Sequence, residues 1–124
     1  MHKSKVLIVD DHKEFREGLR SFIEKQVPNV EILEAQTGEE GVETALIQKP
    51  EVALIDIHLQ QIGGMEAAHR IKQGLPECQI ITMSMFGEKT GQSFVNSEIT
   101  AFIAKAEIDS KLPALLRELL QEQP

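Results

Sequence analysis

Four short, almost unbroken apolar runs constrain the fold of this chain more than any other feature, and each leads into a polar or charged residue. Val6-Leu7-Ile8-Val9 runs into Asp10-Asp11, and Val52-Ala53-Leu54-Ile55 into Asp56. Ile80-Ile81-Thr82-Met83 runs into Ser84, and Ala101-Phe102-Ile103-Ala104 into Lys105. Apolar runs without alternation suit strands covered on both faces, as in parallel sheets with helices above and below. A fifth candidate, Val30-Glu31-Ile32-Leu33-Glu34-Ala35, partly alternates and has the least buried pattern. Amphipathic stretches separate the runs, so the expected fold is α/β, a doubly wound five-stranded parallel sheet.

The helices are unequally marked. Phe15, Leu19, Phe22 and Ile23 recur on one helical face. Thr37 with Glu40 predicts a capping box for a second helix, with Val42, Ala45 and Leu46 facing inward. A third is expected from about Met65 to Lys72, ending near Gly74 and Pro76. The last carries a stripe of Leu112, Leu115, Leu116, Leu119 and Leu120, with Pro113 expected in its first turn, where a missing N–H costs least. Between Gly87 and Glu98 only Phe94 and Val95 offer anchors among Gly, Ser, Thr and Asn, which predicts a weak helix of the kind that moves during signalling. The final Gln-Glu-Gln-Pro reads as a tail or the beginning of a linker.

Length and charge narrow the function classes. At 124 residues the chain is one domain, 1–124, large enough for a core without staples. No apolar run approaches the roughly 20 residues of a membrane span, and no signal peptide opens the chain, so a cytoplasmic location is expected. One cysteine, Cys78, allows no internal disulfide. Twenty acidic residues against thirteen basic ones give a net charge of −7, unsuited to gripping nucleic acid unaided. His2, His12, His58 and His69 lack ligand spacing, and Gly63-Gly64 is a turn without a phosphate-loop lysine.

In a parallel α/β sheet, ligands bind at the carboxyl ends of the strands, where the four runs converge. Two carboxylates about 4 Å apart repel by about 4 kcal/mol at an effective dielectric near 20. A hard divalent cation relieves that repulsion, and Mg²⁺ commonly takes one or two carboxylates together with water and phosphate. Asp10-Asp11 alone could equally cap the first helix through its dipole; Asp56 at a second strand end favours the metal. A carboxylate there can also attack phosphorus, with an ammonium (Lys105) and a hydroxyl (Ser84) to stabilise the transferred group.

These residues resemble a response-regulator receiver domain over essentially the whole length. The resemblance rests on Ile8-Val9-Asp10-Asp11, the Leu-Ile-Asp56-Ile run, Gly64 eight residues past Asp56, Ser84 and Lys105. It implies a flavodoxin-like fold with strand order 2-1-3-4-5 and Asp56 as phosphoacceptor. It also implies Mg²⁺ held by Asp11, Asp56 and the His58 backbone carbonyl, with Asp10 acting through metal-bound water, and Phe102 as an aromatic switch residue paired with Ser84. His12 and Arg16-Glu17-Gly18-Leu19-Arg20 are similar to receivers fused to a LuxR-type helix-turn-helix domain. Departures from the family pattern are Gln60 in place of a Pro, Met85 in place of a small residue, Ala106 in place of a Pro, and no glycine around Glu98-Ile99-Thr100-Ala101. The Ser84-to-Lys105 spacing is also about one residue short.

The expected function is a phosphorylatable switch. Asp56 would accept a phosphoryl group from a sensor histidine kinase or phosphotransfer protein, with Mg²⁺. The change would alter partner binding or homodimerisation and control transcription through an output domain outside this chain. Such a chain is no enzyme beyond its own phosphorylation and dephosphorylation. Two other readings remain at this stage: a receiver-like binding module independent of phosphorylation, and a phosphohydrolase acting through an aspartyl phosphate. The second usually needs an acid two residues past the nucleophile, where this chain has His58.

Overall fold

The computed structural model describes residues 3–86 and 96–120. In chain order the elements are β1 (Ser4–Val9), α1 (Lys13–Gln26), β2 (Val30–Ala35), α2 (Gly38–Gln48), β3 (Val52–Asp56), α3 (Gly63–Gly74), β4 (Gln79–Ser84) and β5 (Ala101–Ala104). A 3-10 turn (Lys105–Glu107) then leads into α4 (Ile108–Leu120). All four strand pairings are parallel and the order is β2-β1-β3-β4-β5, the expected doubly wound arrangement.

Strand residues point alternately to opposite faces, and here both faces are covered. Val6, Ile8, Val52, Leu54, Ile81 and Met83 pack against Leu19 and Ile23 of α1 and Leu112 and Leu116 of α4. Leu7, Val9, Ala53, Ile55 and Ile80 pack against Ala45 of α2 and Ala68 and Ile71 of α3. This double burial explains why the central runs carry no polar alternation. Glu31 of the flanking strand β2 is exposed, as its pattern predicted. Cys78 lies buried beside this core, and desolvation pushes its thiol up to about 12, which makes it a structural residue.

The local differences from expectation have physical causes. The Thr37 hydroxyl does cap α2, accepting the Glu40 N–H at 3.0 Å, but Glu40 reaches back to the Gln36 N–H (2.9 Å). Leu46 is 42% exposed and leans on α3 at Gly74, so α2 turns its small residue Ala45, not Leu46, into the core. Helix α3 is longer than predicted at both ends, beginning on two glycines, Gly63 and Gly64, and running on to Gly74. Helix α4 begins at Ile108, whose buried side chain draws the start of the helix into the core. Pro113 therefore lies in the second turn, and the Asp109 carbonyl it leaves without an N–H belongs to an exposed residue.

The weak helix expected over Gly87–Glu98 lies largely outside the described residues, as do Phe94, Val95, His2 and the Gln-Glu-Gln-Pro tail. The chain enters β5 without glycine because Asn96 makes the turn. Its side chain accepts the Glu98 N–H (2.8 Å) and its carbonyl the Ile99 N–H (3.0 Å), a task Asn performs well.

Glu98 in turn meets His69 of α3, with Nδ1 to Oε1 at 3.0 Å. This hydrogen bond, with the attraction between the charges, raises the His69 pKa above the ordinary 6.5. A raised pKa means the contact stabilises the fold fully below the ordinary value and is lost as pH rises through the folded one. An NMR titration should give His69 a midpoint above 6.5 in wild type and a lower one in Glu98→Gln. Equal midpoints in the two proteins would show that the tie between α3 and the β5 approach is not formed in solution.

Candidate functional site

The four strand ends do meet. β1 stops at Val9 and delivers Asp10 and Asp11, β3 ends on Asp56, β4 ends on Ser84, and Lys105 follows β5 directly. Asp10, Asp56 and Ser84 are almost wholly removed from solvent. The Lys105 ammonium bridges the two buried acids, 2.8 Å from Asp10 Oδ2 and 3.1 Å from Asp56 Oδ2, and lies 4.1 Å above the Phe15 ring. Burial disfavours its charge, but the two carboxylates outweigh that and the Lys105 pKa is raised.

One positive charge serves two carboxylates, and the service is uneven. Lys105 Nζ hydrogen-bonds Asp56 Oδ2. Despite the shorter distance it lies off the hydrogen-bonding direction of Asp10 Oδ2, which has attraction but no hydrogen-bond donor among the described residues. Buried polar atoms are rarely left so. Carboxylate oxygens of Asp10, Asp11 and Asp56, with a ring nitrogen of His12, lie within 4.8 Å of one another. Three carboxylates, one with a buried oxygen held by an ion pair but no hydrogen bond, make a hard oxygen donor set that fits Mg²⁺.

Local geometry holds these groups in place. Asp10 Oδ1 accepts the His12 N–H and Asp56 Oδ1 the His58 N–H, both at 2.8 Å. His12 is the residue flanking α1, and neither acidic side chain hydrogen-bonds an amide of that helix. His12 Nδ1 stands 3.3 Å from Asp10 and 3.2 Å from Asp11, which brings into the cluster a histidine that spacing alone had set aside. Gly64 packs against the backbone of the phosphoacceptor candidate: a Cβ there would stand 2.2 Å from the Asp56 carbonyl oxygen.

The Ser84 hydroxyl accepts the Phe86 N–H at 3.0 Å and meets His58 Nε2 at 3.2 Å. Phe102, opposite Thr82 in the β4–β5 register, is half-buried on the edge strand. Met85 is 68% exposed, so its bulk does not displace Ser84 from the strand end. Gln60 is exposed in the loop after β3, where Gln61 adopts φ 63°.

Sequence reasoning missed the role of Arg16. This buried side chain donates to the Asp10 carbonyl (2.7 Å) and to Glu34 (2.7 Å), and Arg20 binds the second Glu34 oxygen (2.8 Å). Burial works against the Glu34 carboxylate, yet the two arginines hold its pKa below the ordinary range. The network ties α1 to the ends of β1 and β2 and so fixes the backbone that presents Asp10. Its signal lay in the Arg16–Arg20 segment, which had served only as a likeness to one type of receiver.

This fold and site are those of a receiver domain. Residues 6–117 match the response regulator receiver domain family, and the chain belongs to it. Among relatives, the transcriptional regulatory protein LiaR of Bacillus subtilis is 39% identical over 83 residues, covering 66% of this chain and 39% of LiaR. The response regulator protein VraR of Staphylococcus saprophyticus is 27% identical over 115 residues, covering 92% of this chain and 55% of VraR. The chain thus spans about half the length, or less, of these relatives. A LuxR-family two-component response regulator from Aurantimonas sp. shares the fold, with a TM-score of 0.83 at 24% identity over 98% of this chain and 89% of that one. The chain is therefore a signalling domain of two-component systems, not a metabolic enzyme. Among the described residues no helix is long and apolar enough to cross a membrane.

Proposed function

We propose that Asp56 accepts a phosphoryl group from the phosphohistidine of a sensor kinase or phosphotransfer protein. The observation that carries this is the Lys105 ammonium set between two buried carboxylates, 3.1 Å from Asp56 and 2.8 Å from Asp10. A carboxylate oxygen of Asp56 attacks phosphorus, the P–N bond breaks, and its electron pair leaves with the donor imidazole. Lys105, freed from Asp56 as that carboxylate becomes an acyl phosphate, stays beside the new phosphoryl oxygens and neutralises their charge. Ser84, at the next strand end, donates its hydroxyl proton to one of them. Phe102 then turns inward as Ser84 moves, biasing the β4–β5 face between two arrangements.

Asp10, Asp11, Asp56 and the His58 backbone carbonyl would hold Mg²⁺. The bound ion supplies charge neutralisation for the phosphoryl oxygens that one lysine cannot complete. The partners are the kinase and, on the changed face, a second copy or another protein. Since LiaR is a transcriptional regulatory protein longer than this chain, control of transcription through an output domain outside this chain follows as the downstream role.

Intact-protein mass after incubation with Mg²⁺ and acetyl phosphate tests the reading. Wild type should gain about 80 Da, one phosphoryl group on the nucleophile, and Asp56→Ala should gain nothing. No gain in either protein would replace the reading with a receiver that binds its partners without phosphorylation.

A further inference from the structure

The hydroxyl that the proposed reaction needs is already engaged. Ser84 is fully buried, and its Oγ has two partners among the described residues, the Phe86 N–H at 3.0 Å and His58 Nε2 at 3.2 Å. The amide occupies an acceptor position on the oxygen. A buried hydroxyl also needs somewhere to place its proton, and among the described residues His58 Nε2 is the acceptor within reach. With the Ser84 hydroxyl as donor, a neutral His58 ring accepts at Nε2 and carries its proton on Nδ1.

The ring is not held by this bond alone. Phe86 meets it in an edge-to-face arrangement, centroids 4.9 Å apart and planes at 86°, a favoured aromatic geometry. The His58 backbone is itself pinned to Asp56 through its N–H. His58 thus spans from the loop after β3 to the end of the neighbouring strand β4, joining the phosphoacceptor candidate at one end and the switch hydroxyl at the other. Phe86, though 57% exposed, belongs to the same arrangement through both its ring and its amide.

We propose that His58 is a positioning residue that latches Ser84 in a resting arrangement, so that the Ser84 proton reaches a phosphoryl group only after the His58–Ser84 bond breaks. The latch rests on the phosphoacceptor reading above and adds a rate-setting element to it. The movement of Ser84 toward the phosphoryl group that follows its opening also removes the acceptor of the Phe86 N–H, so gain of the phosphoryl group and displacement of Phe86 become one event.

Three proteins test this by the same mass measurement, followed in time with acetyl phosphate and Mg²⁺. His58→Leu keeps bulk against Phe86 but offers no acceptor, and should gain the phosphoryl group about fivefold faster than wild type, the worth of one net hydrogen bond. His58→Gln restores an acceptor at similar reach and should return toward the wild-type rate. Independently, the ring ¹⁵N shifts of His58 in the resting protein should report the Nδ1–H tautomer and change in Ser84→Ala. Equal rates in all three proteins, or equal acceleration by Leu and Gln, overturns the latch, as does a His58 signal indifferent to Ser84→Ala. Failure of wild type itself to gain mass overturns the phosphoacceptor reading instead, which separates the two.

Discussion

In magnesium-free buffer, Lys105→Met is expected to melt about 10 °C below wild type, a loss of about 3 kcal/mol from breaking a buried ion-pair arrangement. The substitution keeps the apolar stem beside Phe15 and removes only the charge. Asp10 and Asp56, 0% and 2% exposed at their side chains, then face each other without a cation. Because the Lys105 pKa is raised, its contribution is fully present below the ordinary 10.5 and is lost only as pH rises through the folded value. The gap between variant and wild type should therefore stay constant across the neutral range. Millimolar Mg²⁺ should close more than half of it, since a divalent cation offsets the same repulsion. Thermal scans with and without Mg²⁺ decide the matter: a deficit that the ion leaves untouched would count against a metal at Asp10 and Asp56.

Gly64→Ala should be comparably severe for a different reason. The added Cβ would lie 2.2 Å from the Asp56 carbonyl oxygen and 2.6 Å from Ile57 Cα, both backbone atoms that cannot swing aside. Overpacking of this kind costs about 3 kcal/mol, and the relaxation it forces moves the start of α3 away from the end of β3. Neighbouring Gly63 provides the control. Its φ of +75° penalises any side chain, but nothing lies within 4 Å of its Cβ position, so Gly63→Ala should cost only about 1 kcal/mol. Chemical denaturation of the two variants should rank them in that order. Gly64→Ala should also slow the phosphoryl gain at Asp56 more than Gly63→Ala does. The reverse ranking would mean that turn conformation, not close approach, governs this corner.

Both expectations turn on residues visible in the sequence, but not for reasons the sequence contains. By itself the sequence located the strands, because strands buried on both faces must be apolar throughout; their order in the sheet came only from the family resemblance. It also placed a polar residue of defined chemistry at each strand's carboxyl end, and a parallel sheet brings those ends to one edge. Helix starts were less legible: Ile108 and the Gly63-Gly64 pair set them through core packing and backbone approach, which no capping pattern encodes. Only the tertiary structure decided that Lys105 hydrogen-bonds Asp56 and leaves Asp10 Oδ2 without a donor, that Arg16 holds the Asp10 carbonyl, and that His58 occupies Ser84. The three contacts join groups 6 to 49 positions apart in sequence, set by how strands and loops align in space. Composition and periodicity report which face a residue occupies; hydrogen-bond direction at a crowded strand end depends on fractions of an ångström that only packing supplies.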